Sequence, residues 1–508
     1  MSTVVSYLPS AVAQQNLEGE IHRVFERQRE TAIRLRSSTL DERKAKIKKL
    51  KEAVLAHKEE FYKAGYADFK KPPAEVDLTE ILAVVIEAND ALRKLRKWMK
   101  PARVWPSRAT VGLKGWVQYE PKGRCLIISP WNYPVNLTFG PLVSAIAAGN
   151  TAILKPSEMT PNLSALMVKI VRQIFPEDEV AIFEGDAKVS TALLELPFDH
   201  IFFTGSPAIG KVVMAAAAKH LTSVTLELGG KSPTIIDASA DLKTAARNIM
   251  WSKYTNDGQT CIAPDHIYVH ASVKDEFVRL CQETLSAAYG ADPKGQMNSP
   301  YLARIVNQRH TGRIKALLDD ATARGARTLT GGVVNEQECY IAPTLLDNIP
   351  ADAKIMQEEI FGPVICVVPF KEREEVTRYV AAREKPLSLY IFSKDQAEID
   401  YFLAHSTSGS TVVNHNVIQS GTNPYLPFGG VNTSGIGRMV GWHTFNECSN
   451  ARSVVVDGPA LGDPRMYVAP LDDKYKKQIA GLLTGKPVPQ GIVRAIHGVL
   501  KLKGMFSR

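Results

Sequence analysis

Hydrophobic and polar positions change texture along this chain, and the changes mark its parts. From about residue 16 to 100, apolar positions recur at helical spacing among Glu, Lys, Ala and Leu. The pattern predicts helices over 41–66, with Thr39 or Asp41 as cap, and over 75–98 after the Pro72-Pro73 breaker. At Val111 it turns strand-like, and 111–120 (VGLKGWVQYE) reads as an exposed strand or arm. Short apolar runs then follow at 125–129, 152–154, 180–183, 201–203 and 224–226, with helical stretches at 137–148, 162–174 and 208–219. Short β-rich runs separated by helices predict parallel βαβ units in a sheet covered on both faces. A second such series comprises 266–270, a helix over 274–289, 343–346, 364–368, 387–392 and 411–414. The expected organisation is therefore two α/β domains joined near 226–230. The glycine-rich GTNPYLPFGGVNTSGIG reads as loop, and 452–456 as a late strand.

Composition narrows this without redirecting it. The chain has 508 residues, 45% hydrophobic and 23% charged, enough for two to four globular domains. Six cysteines at 125, 261, 281, 339, 366 and 448 lack any C-x-x-C spacing, which argues against a disulfide framework or a metal site and fits a reducing compartment. The N-terminus has neither a basic n-region nor a long apolar h-region, and no stretch reaches eighteen apolar residues. A cytoplasmic protein is expected.

The net charge of +9 suggests nucleic acid until it is located. Residues 474–508 carry eight Lys or Arg and no acid, leaving +1 for the body, so no nucleic-acid partner is expected. In that tail Ile492, Val493, Ile496, Val499 and Leu500 fall on one helical face beside Arg494, Lys501 and Lys503. Such a basic amphipathic helix can lie on an anionic membrane. Gly491, Gly498 and Gly504 weaken it, so packing on the body or on a dimer partner is the other reading.

Five short motifs carry candidate chemistry. Glu227 stands beside a Gly-Gly pair in LELGGKSP, and Cys261 lies among small and polar residues in GQTCIAPD. A thiol and a carboxylate suggest a nucleophile and a base. Asn132, in PWNYP after a strand, sits where open α/β sheets bind ligands and can donate to an oxyanion. Lys155 and Glu158 of LKPSE offer a donor and an acceptor suited to ribose hydroxyls. Gly205-Ser206 lead from a strand into a helix whose free N–H groups suit a phosphate, although the spacing is not G-x-G-x-x-G. Each also has a plain structural reading, as an inert buried cysteine, a turn amide, a surface turn or a strand-to-helix turn. Gly435-Ile436-Gly437 with Gly441 lacks a preceding strand and is set aside as a nucleotide loop.

Together, and in this order, PWNYP, LKPSE, FTGS, LELGGKSP, GQTCIAPD, QEEIFGPV and PFGG resemble the aldehyde dehydrogenase superfamily over about residues 20–456. FDHIFFTGSPAIGKVVMAAAAKHLTSVTLELGGKSP and CIAPDHIYV bring the chain nearer the class 3 branch of fatty, aromatic and coniferyl aldehyde dehydrogenases. The resemblance implies an α/β fold with a Rossmann-type NAD domain, an α/β catalytic domain and a β oligomerisation arm. On that scheme 1–110 supplies N-terminal helices of the cofactor domain, 111–125 the arm, 126–226 the NAD-binding domain and 227–415 the catalytic domain. Residues 416–449 return to the cofactor domain, 450–470 form an oligomerisation strand, and 471–508 are the basic tail.

The resemblance further implies Cys261 as nucleophile, Glu227 as general base, and Asn132 with the Cys261 backbone N–H as oxyanion donors. Lys155 and Glu158 would hold the adenosine ribose, and Gly205 and Ser206 would lie near the pyrophosphate. Glu359 would hold the nicotinamide ribose, with Phe361 against that end. The cofactor is NAD, with NADP as the alternative, because Glu158 should repel a 2′-phosphate. The expected partners are a small aldehyde and a second copy of the chain. The expected reaction is oxidation of a medium- or long-chain aliphatic aldehyde to the acid, or of an aromatic or phenylpropenyl aldehyde. The pocket is where the chain departs from the pattern. Where many class 3 members have Val-Asn-Asp, it reads Val413-Asn414-His415-Asn416, and GTNPYLP precedes Phe428 as an insertion-like segment. A cysteine hydrolase that ignores NAD is the distant rival; it would want a histidine base, and none lies in the Glu227–Cys261 motifs.

Overall fold

The computed structural model describes residues 11–107, 110, 113–419, 423–456 and, in the tail, 484, 485, 491, 494 and 495. They fall into two compact units, a larger one from Met1–Lys94 and Pro121–Cys448 and a smaller one from Leu95–Glu120 and Ser449–Arg508. The apolar tail face at 492, 493, 496, 499 and 500 and the strand expected to run on to 470 lie largely outside the described residues.

The larger unit holds two mostly parallel sheets. In the first, the strand order is Gly435–Ile436, Ser223–Leu228, His200–Gly205, Arg124–Ile128, Thr151–Lys155 and Val180–Ile182, with only Gly435–Ile436 antiparallel. The chain runs outward from Arg124–Ile128 on one side, then crosses to His200–Gly205 on the other. That reversal opens a crevice at the carboxyl ends of the two central strands. The second sheet runs Arg327–Thr330, Thr344–Asp347, Val364–Phe370, Pro264–His270, Ser232–Ile236, Ser388–Phe392 and Ser410–Val413, with only Arg327–Thr330 antiparallel. The chain passes from one sheet to the other at Gly229–Lys231, between Ser223–Leu228 and Ser232–Ile236. Cores of Ile, Val, Leu and Phe fill the helix–sheet interfaces, for example Leu126, Ile153, Ile201 and Leu226 in the first sheet and Ile236, Ile267, Ile365 and Tyr390 in the second.

Several elements differ from the pattern's expectation. The helix over 41–66 is two helices, Leu40–Ala56 and Lys58–Phe69, broken at His57. Thr39 rather than Asp41 is the cap: its hydroxyl accepts from the Glu42 N–H while the Glu42 carboxylate accepts from the Thr39 N–H. The helix over 75–98 is a turn at Pro73–Val76, a π-helical segment Asp77–Ile81 and then Leu82–Trp98. The strand Ser232–Ile236 and the helices Leu242–Tyr254 and Gln308–Ala323 were not anticipated. The smaller unit contains a three-stranded sheet in the order Ala102–Val104, Lys114–Pro121, Ser449–Val456, the first of which was not anticipated. Among the described residues no helix is long and apolar enough to cross a membrane.

Candidate active site

Three backbone segments converge between the carboxyl edge of the first sheet and the amino end of strand Pro264–His270 in the second. Asn132 follows the strand Arg124–Ile128 and precedes the helix Pro134–Ala148. It is buried, and its amide nitrogen donates to the Gln259 carbonyl at 2.9 Å, two residues before Cys261. Its own carbonyl accepts from the Asn256 amide at 2.9 Å. Tyr133 adds a second tie, its hydroxyl 2.5 Å from that of Thr260. Gln259, also buried, is clamped by its side chain, which donates to the Asn256 and Arg304 carbonyls and accepts from the Val306 N–H.

Cys261 is half-buried beside Ile262, Leu387, Phe428, Val440, Val417 and Met439. Burial pushes its thiol well up, and the negative charges of Glu359 and Glu227 push the same way. The backbone N–H groups of Cys261 and Ile262 oppose them, favouring the anion. Glu227 lies near the end of strand Ser223–Leu228, in register with Thr204 on one side and Gly435 on the other. It is buried and neither carboxylate oxygen has a hydrogen-bond partner. Burial raises its pKa well above the usual carboxylate range, tempered by Arg438 and reinforced by Glu447. A carboxyl whose proton affinity is raised in this way is better suited to accept a proton than a solvated one.

Glu359 is half-buried. Burial first, and then the charge of Asp265, push it up to about 8, while the Gly230 backbone lowers it. A Cβ on Gly229 would lie 2.1 Å from its carboxylate, so the Gly-Gly pair leaves the space that this side chain fills. Lys231, next in the chain, pairs with Asp265 and donates to the Ile355 and Glu358 carbonyls at 2.7 and 2.8 Å, tying the Glu359 segment to the LELGGKSP turn. Phe361 has φ of +50° and stacks edge-on against Trp131 at 5.3 Å. At the carboxyl end of the neighbouring strand, the Lys155 ammonium is buried and donates to Glu158 at 2.9 Å, the latter being 42% exposed. Ser206 caps the helix Pro207–Ala218 through the Ile209 N–H, immediately after Gly205.

The structure thus brings Cys261, Glu227, Asn132, Glu359 and Phe361 to one place, with Lys155, Glu158, Gly205 and Ser206 along the crevice edge of the first sheet. The stretch around Gly435 is no nucleotide loop: Gly435–Ile436 pairs with the strand that carries Glu227. The motifs did not point to Gln259 as a clamp, to Arg438 beside Glu227, or to Lys71, Glu80 and Glu75, which hold the backbones of Asn132, of Val135 and Asn136, and of Asn256. Gln259 lies inside GQTC and was legible as a polar neighbour; the others occupy positions that look like ordinary helix or loop polarity.

Residues 9–454 match the model of the aldehyde dehydrogenase family. The chain belongs to the aldehyde dehydrogenase family. AldX of Bacillus subtilis is 46% identical over 443 residues, 87% of this chain and 99% of that one. Aldehyde dehydrogenase family 3 member A2 of Macaca fascicularis is 40% identical over 436 residues, 86% of this chain and 87% of that one, in keeping with the class 3-like branch. Among solved structures, the substrate-bound state of Staphylococcus aureus AldH superposes with a TM-score of 0.86 at 37% identity, over 91% of this chain and 99% of that one. Of other structures with this fold, a Mycobacterium tuberculosis aldehyde dehydrogenase is a complex with NAD+ and a Methanocaldococcus jannaschii glyceraldehyde-3-phosphate dehydrogenase a complex with NADP. The α/β architecture and the oxidoreductase class follow from membership: this is an aldehyde-oxidising enzyme.

Proposed function

We propose that the enzyme oxidises an aldehyde to its carboxylic acid through a Cys261 thioester, using NAD(P). The observation that carries this reading is the convergence of an anion-favouring backbone at Cys261, the Asn132 amide and a buried carboxyl with no partner, Glu227, around one thiol.

The residues present fit the cofactor. A buried ammonium with an exposed carboxylate, Lys155 and Glu158, suits a vicinal diol; the capped helix start after Gly205 suits a phosphate; Glu359 supplies a second diol acceptor. NAD(P), when bound, supplies the hydride acceptor that converts the Cys261 adduct to a thioester. The Cys261 thiol gives its proton to solvent, and the thiolate, favoured by the backbone N–H groups of Cys261 and Ile262, attacks the carbonyl carbon. Asn132 and the Cys261 N–H meet the oxyanion in preorganised positions, so little reorganisation is needed as charge develops. Glu227 then removes a proton from the water that hydrolyses the thioester, releasing the acid and the thiol. Covalent capture divides one difficult oxidation into two easier steps.

The apolar side chains of Ile262, Leu387, Val417, Phe428, Met439 and Val440 packed about the thiol, five of the six without a ring, support a medium- or long-chain aliphatic aldehyde. A second reading rests on Trp251, half exposed and 6.4 Å edge-on from His415, a pair suited to an aromatic substrate. NAD is favoured over NADP because Glu158 carries negative charge at the ribose subsite. NADH or NADPH formation across hexanal to hexadecanal, benzaldehyde and coniferaldehyde tests all three points. The expected result is kcat/KM rising with aliphatic length, higher values with NAD, and no activity in Cys261→Ala, which still binds NAD. A Cys261→Ala variant that retains dehydrogenase activity removes the mechanism; higher values for coniferaldehyde select the second reading.

A further inference from the structure

We propose that Lys71, Glu75 and Glu80 are positioning residues: the short segment 71–80 fixes both backbone segments that bracket the reacting carbonyl. The proposal rests on the reading of Asn132 as an oxyanion donor.

Lys71 is fully buried, and its ammonium lies 2.9 Å from the equally buried Glu80 carboxylate. A buried ion pair is seldom more stabilising than an apolar pair of the same size, so its presence calls for another reason. Its remaining contacts supply one. The second Glu80 oxygen accepts from the N–H groups of Val135 and Asn136 at 3.1 and 2.9 Å, fixing the first turn of the helix that directly follows Asn132-Tyr133. The Lys71 ammonium reaches the Asn132 carbonyl at 3.4 Å and stands 4.3 Å from the centre of the Tyr133 ring. The same Asn132 carbonyl accepts from Asn256, whose own N–H donates to Glu75 at 2.8 Å.

The ring of contacts closes. Residues 71–80 grip the Asn132 segment through Lys71 and Glu80, and the Cys261 loop through Glu75. The Glu75 grip falls where the backbone is costly to hold, since Asn256 and Asp257 both have left-handed φ of +54°. Between Glu75 and Glu80 the chain takes the π-helical form Asp77–Ile81. With its carbonyl held by Lys71 and Asn256, the Asn132 side chain has its amide nitrogen directed at the Cys261 loop, within 2.9 Å of the Gln259 carbonyl.

The test is the pre-steady-state burst of NADH, which reads acylation, in the wild type, Lys71→Met, Asn132→Ala and the double variant. Each single variant is expected to slow the burst at least tenfold, since displacements of about 1 Å at a reacting centre reach 10²-fold. If Lys71 acts through Asn132, the double variant is no slower than Asn132→Ala alone. Alkylation of Cys261 by iodoacetamide, which needs no oxyanion donor, and the Kd for NAD should stay within twofold of wild type. Multiplicative effects in the double variant, a Lys71→Met burst at the wild-type rate, or a parallel fall in alkylation and NAD binding would each overturn the proposal. A wild-type burst in Asn132→Ala removes the oxyanion reading itself, and this proposal with it; a slow burst there beside a normal one in Lys71→Met removes the proposal alone. Should Lys71→Met not fold, Glu80→Gln, which keeps an acceptor for Val135 and Asn136 but drops the charge that holds Lys71, is read the same way.

Discussion

Both carboxylate oxygens of Glu227 are buried without a partner, while strand pairing on both sides fixes the backbone beneath them. The side chain is therefore costly to ionise, and its hydrogen-bonding capacity is unspent. Replacing Glu227 with Gln should leave the first-turnover burst of NADH visible and cut steady-state turnover by about 10²-fold or more, the usual contribution of a positioned base. The sign of the pH dependence follows from its raised pKa. Below that pKa the carboxyl is protonated and cannot accept, so kcat should rise with pH along a limb lying well above 4.5, and Glu227→Gln should lose that limb. Stopped-flow and steady-state rates from pH 5 to 9 check both. At this scale the sequence is informative because identity is chemistry: a Cys, a Glu and an Asn in distinctive settings name themselves. Lys71, Glu75 and Glu80 do not, because on a helix of mixed polarity a buried ion pair and a solvated one have the same letters.

Elements deliver these side chains through close backbone approaches, and two glycines make opposite predictions. Gly229 has no left-handed φ, and what a Cβ would strike is the movable carboxylate of Glu359. Gly229→Ala should fold with a Tm within a few degrees of wild type while kcat/KM for NAD falls about tenfold or more, as Glu359 is displaced. Gly258 has φ of +75°, and a Cβ there would lie 2.3 Å from the Gly362 carbonyl, which is backbone and cannot swing aside. Gly258→Ala should lower the Tm sharply along with activity. Calorimetry beside cofactor kinetics separates the two. Element legibility had a similar division. Strands with apolar runs, such as Val364–Phe370, were readable from spacing, and so was the helix Lys274–Tyr289. The break at His57 and the π-turn at Asp77–Ile81 were not, because residue periodicity there continues while the backbone winding alters.

Across the larger unit, buried acids tie distant segments together and set a pH dependence of stability. Glu87, in the helix Leu82–Trp98, accepts from the Gly441 N–H with both oxygens and from the Ser144 hydroxyl, and burial pushes it up to about 7. A carboxyl raised in the folded state stabilises fully below its ordinary pKa, and loses that contribution as pH rises through the folded value. From its ordinary 4.5 to about 7 the loss is on the order of 3 kcal/mol. Glu87→Gln, which mimics the protonated form, should thus gain Tm relative to wild type between pH 5 and 8. Equal Tm differences at the two ends would show that Glu87 ionises freely.

What the sequence determined by itself is the alternation of strands and helices, a chain passage near 226–230, and the identities of Cys261, Glu227 and Asn132. Hydrophobic period and side-chain chemistry are properties of neighbouring letters. Tertiary structure alone decided that Asn132 points at the Gln259 carbonyl, that Glu359 fills the space beside Gly229, that Gly435 pairs with Glu227, and that Lys71 is an interior cation. Those facts depend on backbone segments more than fifty residues apart meeting at hydrogen-bond distance, and no local pattern records which segments will meet.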